Sequence, residues 1–202
     1  MASSEKAMKM YIDTCVWISY YNATIFDGAK YPQANNAISF FELLGEKDTN
    51  VLFSYFNLIE LTEQLRDTII SFRLLSEGYS VFNLSKARKD NTMNNTLTGK
   101  EDEKLTKILS KLTSFHFLQI INEPEEINKH LAEALYKLTG SFAIEMPDAL
   151  HVVYALKNEC NMIITTDKKL ITQFKEAKKT YRDFKNLSIR HPVEIVDSPN
   201  LI

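Results

Sequence analysis

A chain of 202 residues, with 45% hydrophobic and 25% charged side chains, has the composition of one globular domain and is short for two. A formal charge of −2 excludes the globally basic balance of many nucleic-acid-binding proteins, so any basic face has to be local. The first ten residues are polar, without the apolar core of a signal peptide, and no apolar run is long enough for a membrane span. These features predict a cytoplasmic protein that does not enter membranes.

In chain order, short apolar runs alternate with longer segments of helical periodicity. Strands are predicted at 8–12, 51–54, 117–121, 162–166 and 193–196. Helices are predicted at 14–21, 34–44, 56–75, 105–112, 124–138, 147–158 and from 168 onward. Residues 27–32 predict a loop. Residues 78–104, rich in Asn, Thr and charged side chains, predict an inserted excursion with a flexible centre, not a linker between domains.

The alternation of strands and helices favours an α/β fold in which helices cover both faces of a parallel sheet. In such folds functional groups collect at the carboxyl ends of the strands. The cysteines, Cys15 and Cys160, lie far apart in apolar runs, which predicts buried thiols in a reducing compartment. The four histidines form no close pair in sequence, which argues against an HExxH-type zinc site.

Four acidic residues occupy positions where a parallel sheet would bring them to one crevice. Asp13 and Asp167 each follow a predicted strand, Glu60 lies about one turn into the helix after 51–54, and Asp148 lies in the first turn of 147–158. No histidine or basic partner for them is evident nearby in sequence, so four such carboxylates would repel one another. A hard cation such as Mg²⁺ or Mn²⁺ resolves this repulsion and activates water, which favours phosphodiester hydrolysis.

Each of these residues also has an ordinary structural interpretation. A strand-end aspartate such as Asp13 is often a helix cap, and a helical glutamate such as Glu60 is often solvated. Thr165 either hydrogen-bonds within the site or is simply a β-branched strand residue. The locally basic stretch 168–190, with aromatic residues interleaved, either follows an RNA backbone or is a solvated helix face with core aromatics. The pattern of four acids together carries the functional interpretation.

Several segments, in this order along the chain, resemble the motifs of PIN domains. They are Tyr11-Ile12-Asp13-Thr14-Cys15-Val16-Trp17, Asn57-Leu58-Ile59-Glu60-Leu61, Pro147-Asp148-Ala149-Leu150-His151-Val152-Val153-Tyr154-Ala155, Ile163-Ile164-Thr165-Thr166-Asp167-Lys168-Lys169-Leu170 and the ending Val193-Glu194-Ile195-Val196-Asp197-Ser198-Pro199. The resemblance implies a single PIN-like domain over 1–202, an α/β/α sandwich with a mainly parallel central sheet, and an insertion at about 78–104. It also implies a ribonuclease that binds Mg²⁺ or Mn²⁺ through Asp13, Glu60, Asp148 and Asp167.

Small PIN proteins of the VapC type are toxins neutralised by a protein antitoxin and are often homodimers, so the resemblance extends to these partners. The stretch between Glu60 and Asp148 is long for a compact toxin, which leaves that role open. One alternative keeps the fold as a catalytically silent scaffold that binds RNA or protein. Another, a phosphohydrolase with Asp13 as nucleophile, is disfavoured because the haloacid-dehalogenase pattern requires an aspartate where Cys15 stands.

Overall fold

The computed structural model describes residues 8–25, 32–47, 49–121 and 126–202. The chain divides into two compact units, the first formed by Met1–Leu58 with His116–Ile202 and the second by Ile59–Phe115. The strands are β1 (Lys9–Ile12), β2 (Asn50–Phe53), β3 (Leu118–Ile120), β4 (Met162–Ile164) and β5 (Ser188–Arg190). The α-helices are α1 (Thr14–Ile25), α2 (Pro32–Glu46), α3 (Tyr55–Ser76), α4 (Leu84–Asp90), α5 (Gly99–Ser110), α6 (Lys129–Tyr136), α7 (Met146–Lys157), α8 (Lys168–Thr180) and α9 (Pro192–Val196).

The five strands form one all-parallel sheet in the order β3-β2-β1-β4-β5, which confirms the predicted α/β class. The chain runs outward from β1 through β2 to β3, and later adds β4 and β5 on the other side of β1. The direction of winding therefore reverses between β1 and β4. In open parallel sheets such a reversal opens a crevice at the carboxyl ends of the two strands, where ligands bind.

Helices cover both faces of the sheet, because the central strands are apolar on both sides. Tyr11 and Ile163 point to the face whose buried side chains include Val152 of α7 and Phe174 of α8. On the opposite face Phe53 meets Trp17 of α1 edge-on, with 5.3 Å between ring centroids. Burial on both faces explains why these strands are continuous apolar runs in the sequence.

The second unit is built from the later turns of α3 with α4 and α5. Ile70, Leu74 and Ala87 form a small buried cluster within it. The Arg73 guanidinium donates to Glu101 at 3.0 Å and also to the backbone carbonyl of Thr96 at 3.0 Å. These charge-assisted bonds hold the segment before α5 in a defined conformation.

The predicted excursion at 78–104 has more regular structure than expected, since α4, the start of α5 and two 3₁₀ turns lie within it. Asn91 accepts a hydrogen bond from the Met93 N–H, and Thr98 with Glu101 forms a capping box at the start of α5. Short polar side chains that suggested disorder are therefore turn and cap residues.

Two other predicted elements are corrected. The predicted strand at 193–196 is helix α9, because Pro192 occupies its first turn and His191 with Glu194 forms a capping box. The helix predicted at 124–138 begins later, at Lys129, where the Asn128 side chain accepts the Leu131 N–H at 3.0 Å.

Some predicted positions, residues 27–31 and 122–125, lie outside the described residues. Across the described ranges, no helix combines the length and apolar composition that crossing a membrane requires.

Candidate active site at the carboxyl edge of the sheet

The carboxyl ends of β1 and β4 bring two of the predicted site residues together across more than 150 positions of sequence. The Asp13 N–H donates to the Ile164 carbonyl at 2.9 Å, so the β1–β4 pairing continues one residue past the strand. The Thr165 N–H donates to the Arg190 carbonyl at 3.0 Å in the same way. Main-chain pairing therefore fixes Asp13 and Thr165 side by side at the reversal point of the sheet.

The Asp13 carboxylate is buried and hydrogen-bonded at both oxygens. Its Oδ2 accepts from the Thr165 hydroxyl at 2.6 Å, and its Oδ1 accepts from the Cys15 N–H at 3.2 Å. Oδ1 also lies 3.3 Å from Nε2 of His151. Only 4% of Asp13 is exposed, and a carboxylate this buried is tolerated because it is satisfied by several partners.

His151 corrects the expectation that the acidic residues have no histidine nearby. It lies on α7, is 2% exposed, and its Nδ1 is 2.9 Å from the Tyr11 hydroxyl. The sequence did contain a signal, since His151 follows Asp148 by three residues and so lies on the same helix face. Its partners could be assigned only from the fold, because Tyr11 lies in β1 and Asp13 directly follows that strand.

Asp148 is half-buried in the first turn of α7, and the charges of the other acids affect its ionisation. Burial, and after it the carboxylates of Asp13 and Asp167, raise the pKa of Asp148 from 3.8 to about 6, with His151 acting in the opposite direction. The three aspartates therefore share one electrostatic environment in which ionisation of Asp148 is disfavoured.

Asp167 serves first as the N-cap of α8. Its Oδ1 accepts from the Lys169 N–H at 2.6 Å and from the Leu170 N–H at 3.1 Å. The Asp167 N–H donates to the Thr165 hydroxyl oxygen at 3.0 Å, so Thr165 connects Asp13 with Asp167. The structural and functional interpretations of this strand-end aspartate are thus compatible, because capping uses one of its two oxygens.

Asn57, in the same sequence motif as Glu60, is a fully buried residue that the sequence analysis did not single out. Its Nδ2 donates to the Ile12 carbonyl and to the Thr14 hydroxyl, both at 3.1 Å, and its Oδ1 accepts from the Ser54 N–H at 3.0 Å. This amide ties the end of β2 to the end of β1. Glu60 itself is half-buried in the second unit, and its role as a ligand stays a prediction.

Asp13, Asp148 and Asp167 offer carboxylate oxygens, the donor type that Mg²⁺ and Mn²⁺ prefer, and the charges of Asp13 and Asp167 act on Asp148. Among the described residues, however, no three His, Cys, Asp or Glu side chains lie close enough together to hold an ion as they stand. A cation would have to draw Asp148 and Asp167 closer to Asp13.

Cys15 borders the carboxylates, but its thiol is not set up as a nucleophile. Its Sγ lies 3.4 Å from the Thr165 hydroxyl and from the Thr166 N–H. Burial and then the Asp13 carboxylate raise the pKa of the Cys15 thiol. A thiolate is therefore disfavoured at this position, which argues against cysteine-based covalent chemistry.

Half of the eight cationic side chains in the basic stretch 168–190 bind groups of the protein itself. Paired groups are Lys169 with Glu145, Lys178 with the Leu187 carbonyl, Lys179 with Glu176 and Arg190 with Glu194. Phe184 is buried against Phe174 and is a core residue. Burial of His191 lowers the pKa of this side chain, and the positive charge of Lys168 lowers it as well. The exposed Lys168 therefore lies near His191, the residue that follows β5.

The sequence matches no protein-family model, and no curated protein was found to be similar to it.

Proposed function

We propose that this protein is a divalent-metal-dependent ribonuclease of the PIN kind. The observation that carries the proposal is that Thr165 connects Asp13 with Asp167 at the reversal point of a parallel sheet, where both carboxylates act electrostatically on Asp148. Burial raises the pKa of Asp148, and the carboxylates of Asp13 and Asp167 also raise it. Such mutual repulsion between acids is characteristic of sites that acquire a cation or perform acid–base chemistry.

Asp13, Asp148 and Asp167 are the residues of the first unit that would hold the metal, and the motif resemblance adds Glu60. A bound Mg²⁺ or Mn²⁺ supplies an activated water and neutralises charge that develops on a phosphodiester. A cation beside Asp148 would favour its ionised form, which burial and the neighbouring carboxylates disfavour. Thr165 holds Asp13 through the 2.6 Å bond to Oδ2 and so limits its rotation.

The choice of RNA as substrate rests on the motif resemblance and on one cationic side chain, Lys168, at the carboxyl edge of the sheet. Lys168 directly follows Asp167 and is exposed, which places a positive charge beside the acids. A lysine at such a position attracts a backbone phosphate without reading the base sequence. The proposal therefore includes weak, salt-sensitive binding of RNA by this edge.

A catalytically silent scaffold is the second candidate, and one observation favours it. The described acidic side chains form no ready-made metal site, and both oxygens of Asp13 are already hydrogen-bonded. A scaffold of this kind would bind no Mn²⁺ above the level of a surface carboxylate. Metal binding therefore separates the two candidates before any substrate is known.

Cleavage of a mixed pool of structured RNAs by the purified chain tests the nuclease, with Mg²⁺, with Mn²⁺ and with EDTA. We expect metal-dependent cleavage that Asp148→Asn reduces by at least about 100-fold, since loss of a metal ligand removes most of the catalysis. Glu145→Gln is the matched control, because Glu145 is exposed three residues earlier and pairs with Lys169. Equal cleavage by Asp148→Asn and the unchanged protein would refute the assigned site.

The resemblance to VapC-type proteins adds two partners to the proposal, a protein antitoxin and a second copy of the chain. Growth arrest on expression, relieved by Asp13→Asn, would support the toxin role. Measurement of the mass in solution decides between monomer and homodimer.

A further inference from the structure

A chain of buried polar groups runs from the candidate site into the sheet. Nε2 of His151 lies 3.3 Å from Asp13 Oδ1, Nδ1 lies 2.9 Å from the Tyr11 hydroxyl, and that hydroxyl lies 2.8 Å from Ser54 Oγ. All four residues are at most 4% exposed. The Phe56 ring, with its centroid 5.0 Å from that of the imidazole, packs against His151. The imidazole is therefore held by both polar and apolar contacts.

The hydrogen atoms of this chain can be assigned from the acceptors. An ionised Asp13 carboxylate only accepts hydrogen bonds, so the His151 nitrogen facing it, Nε2, has to carry a proton. Oδ1 accepts from the Cys15 N–H at 3.2 Å, and the protonated Nε2 of His151 faces the same oxygen at 3.3 Å. Oδ2 accepts from the Thr165 hydroxyl and retains one free lone pair.

We propose that His151 is a positioning residue, which fixes the orientation of the Asp13 carboxylate that would bind a divalent cation. Tyr11 completes the arrangement by holding the opposite nitrogen of the ring and hence the ring orientation. The inference rests on the proposed function, in that it assigns His151 a role toward the metal. His151, from α7, would orient Asp13, the proposed metal ligand that directly follows β1. Groups that hydrogen-bond to metal ligands commonly orient them in this way.

Direct binding of Mn²⁺ to the full-length protein, followed by electron paramagnetic resonance, tests this role without any substrate. We expect His151→Met to weaken Mn²⁺ binding by about 10- to 100-fold, the usual effect of removing a group that orients a metal ligand. His151→Gln should retain most of the affinity, because the glutamine amide nitrogen reaches the place of Nε2 and can still donate to Oδ1. A residue that only filled space would not be rescued by this second polar side chain.

Tyr11→Phe gives an independent measurement that conserves the volume of the core. It removes the partner of Nδ1, so we expect Mn²⁺ binding to weaken a few-fold while the protein stays folded. Fluorescence of Trp17, a buried residue and the one tryptophan of the chain, reports folding of the first unit in every variant.

The outcomes distinguish this inference from the function on which it rests. Absence of Mn²⁺ binding in the unchanged protein would overturn the proposed function and this inference together. Binding that Asp148→Asn abolishes, but that folded His151→Met or Tyr11→Phe retains at full strength, would overturn the role of His151 alone. The role of His151 would also be overturned if His151→Gln lost as much affinity for Mn²⁺ as His151→Met.

Discussion

Replacement of Asp148 by asparagine should stabilise the protein at neutral and alkaline pH. The folded structure raises the pKa of this carboxyl from its ordinary value of 3.8 to about 6, through burial and the charges of Asp13 and Asp167. Ionised Asp148 is therefore less favourable in the folded than in the unfolded chain. Asparagine has nearly the same shape and carries no charge, so it removes this cost.

The magnitude follows from the shift in pKa. A difference of about two pH units corresponds to about 3 kcal/mol. Solvent screening reduces this to about 1.5 kcal/mol, because Asp148 is only half-buried. The positive end of α7 favours the ionised carboxylate by about 0.5 kcal/mol, which asparagine loses. We therefore expect a net gain of about 1 kcal/mol in the free energy of unfolding.

The sign of the pH dependence is fixed by the raised pKa. Below about pH 4 Asp148 is protonated in both the folded and unfolded chain, so Asp148→Asn should change little. Between about pH 4 and pH 6 the unfolded chain ionises first and the gain from the substitution grows. Above pH 6 both states are ionised and the gain is complete.

Urea unfolding at pH 8 and at pH 4, followed by Trp17 fluorescence in metal-free buffer, measures the effect on the first unit. Glu145→Gln is the control, because the Lys169 hydrogen bond lowers the pKa of Glu145, and removal of that carboxylate should give no gain. Equal stability of Asp148→Asn and the unchanged protein at pH 8 would refute the electrostatic reasoning. An identical gain at both pH values would show that the stabilisation has another origin.

Two further predictions concern hydrogen bonds that hold each unit. Asn57→Ala should lower the free energy of unfolding by about 2 to 3 kcal/mol, because it leaves the buried Ile12 carbonyl without the hydrogen-bond donor of the Asn57 amide. Urea unfolding followed by Trp17 fluorescence measures this loss, and an unchanged midpoint would contradict the prediction. Thr98→Ala removes the capping box shared with Glu101 and should cost about 1 kcal/mol in α5. Amide hydrogen exchange should then accelerate over 99–110 while the Trp17 transition stays in place, and unchanged exchange would show that the cap contributes little.

The sequence was sufficient to predict the strands that are buried on both faces. Apolar runs that end at Ile12 and Ile164, each followed shortly by an aspartate, indicated β1, β4 and the carboxyl edge they share. Strand β5 was missed because it is three residues long and Ile189 is its one fully buried side chain, which leaves almost no pattern. Helix α9 was mistaken for a strand because its apolar residues outweighed the cap formed by His191.

The candidate site was predictable only in part, for a physical reason. Position after a strand selected Asp13 and Asp167, since that criterion depends on neighbouring residues alone. The partners of His151 and Asn57 depend on which strands lie next to each other, and no local pattern encodes that order. Buried polar groups of this kind satisfy each other across the fold, so their pairing appears only with the tertiary structure.

The pairing of β1 with β4 also sets the time at which the site can form during folding. Trp17 packs on Phe41 and Phe53, two contacts between residues that are close in sequence. The Asp13–Thr165 bond instead closes a loop of 152 residues, and contacts so distant form late because of their entropic cost. In refolding experiments tryptophan fluorescence should therefore recover ahead of metal binding, and a nascent chain would carry no complete acidic site until β4 had emerged.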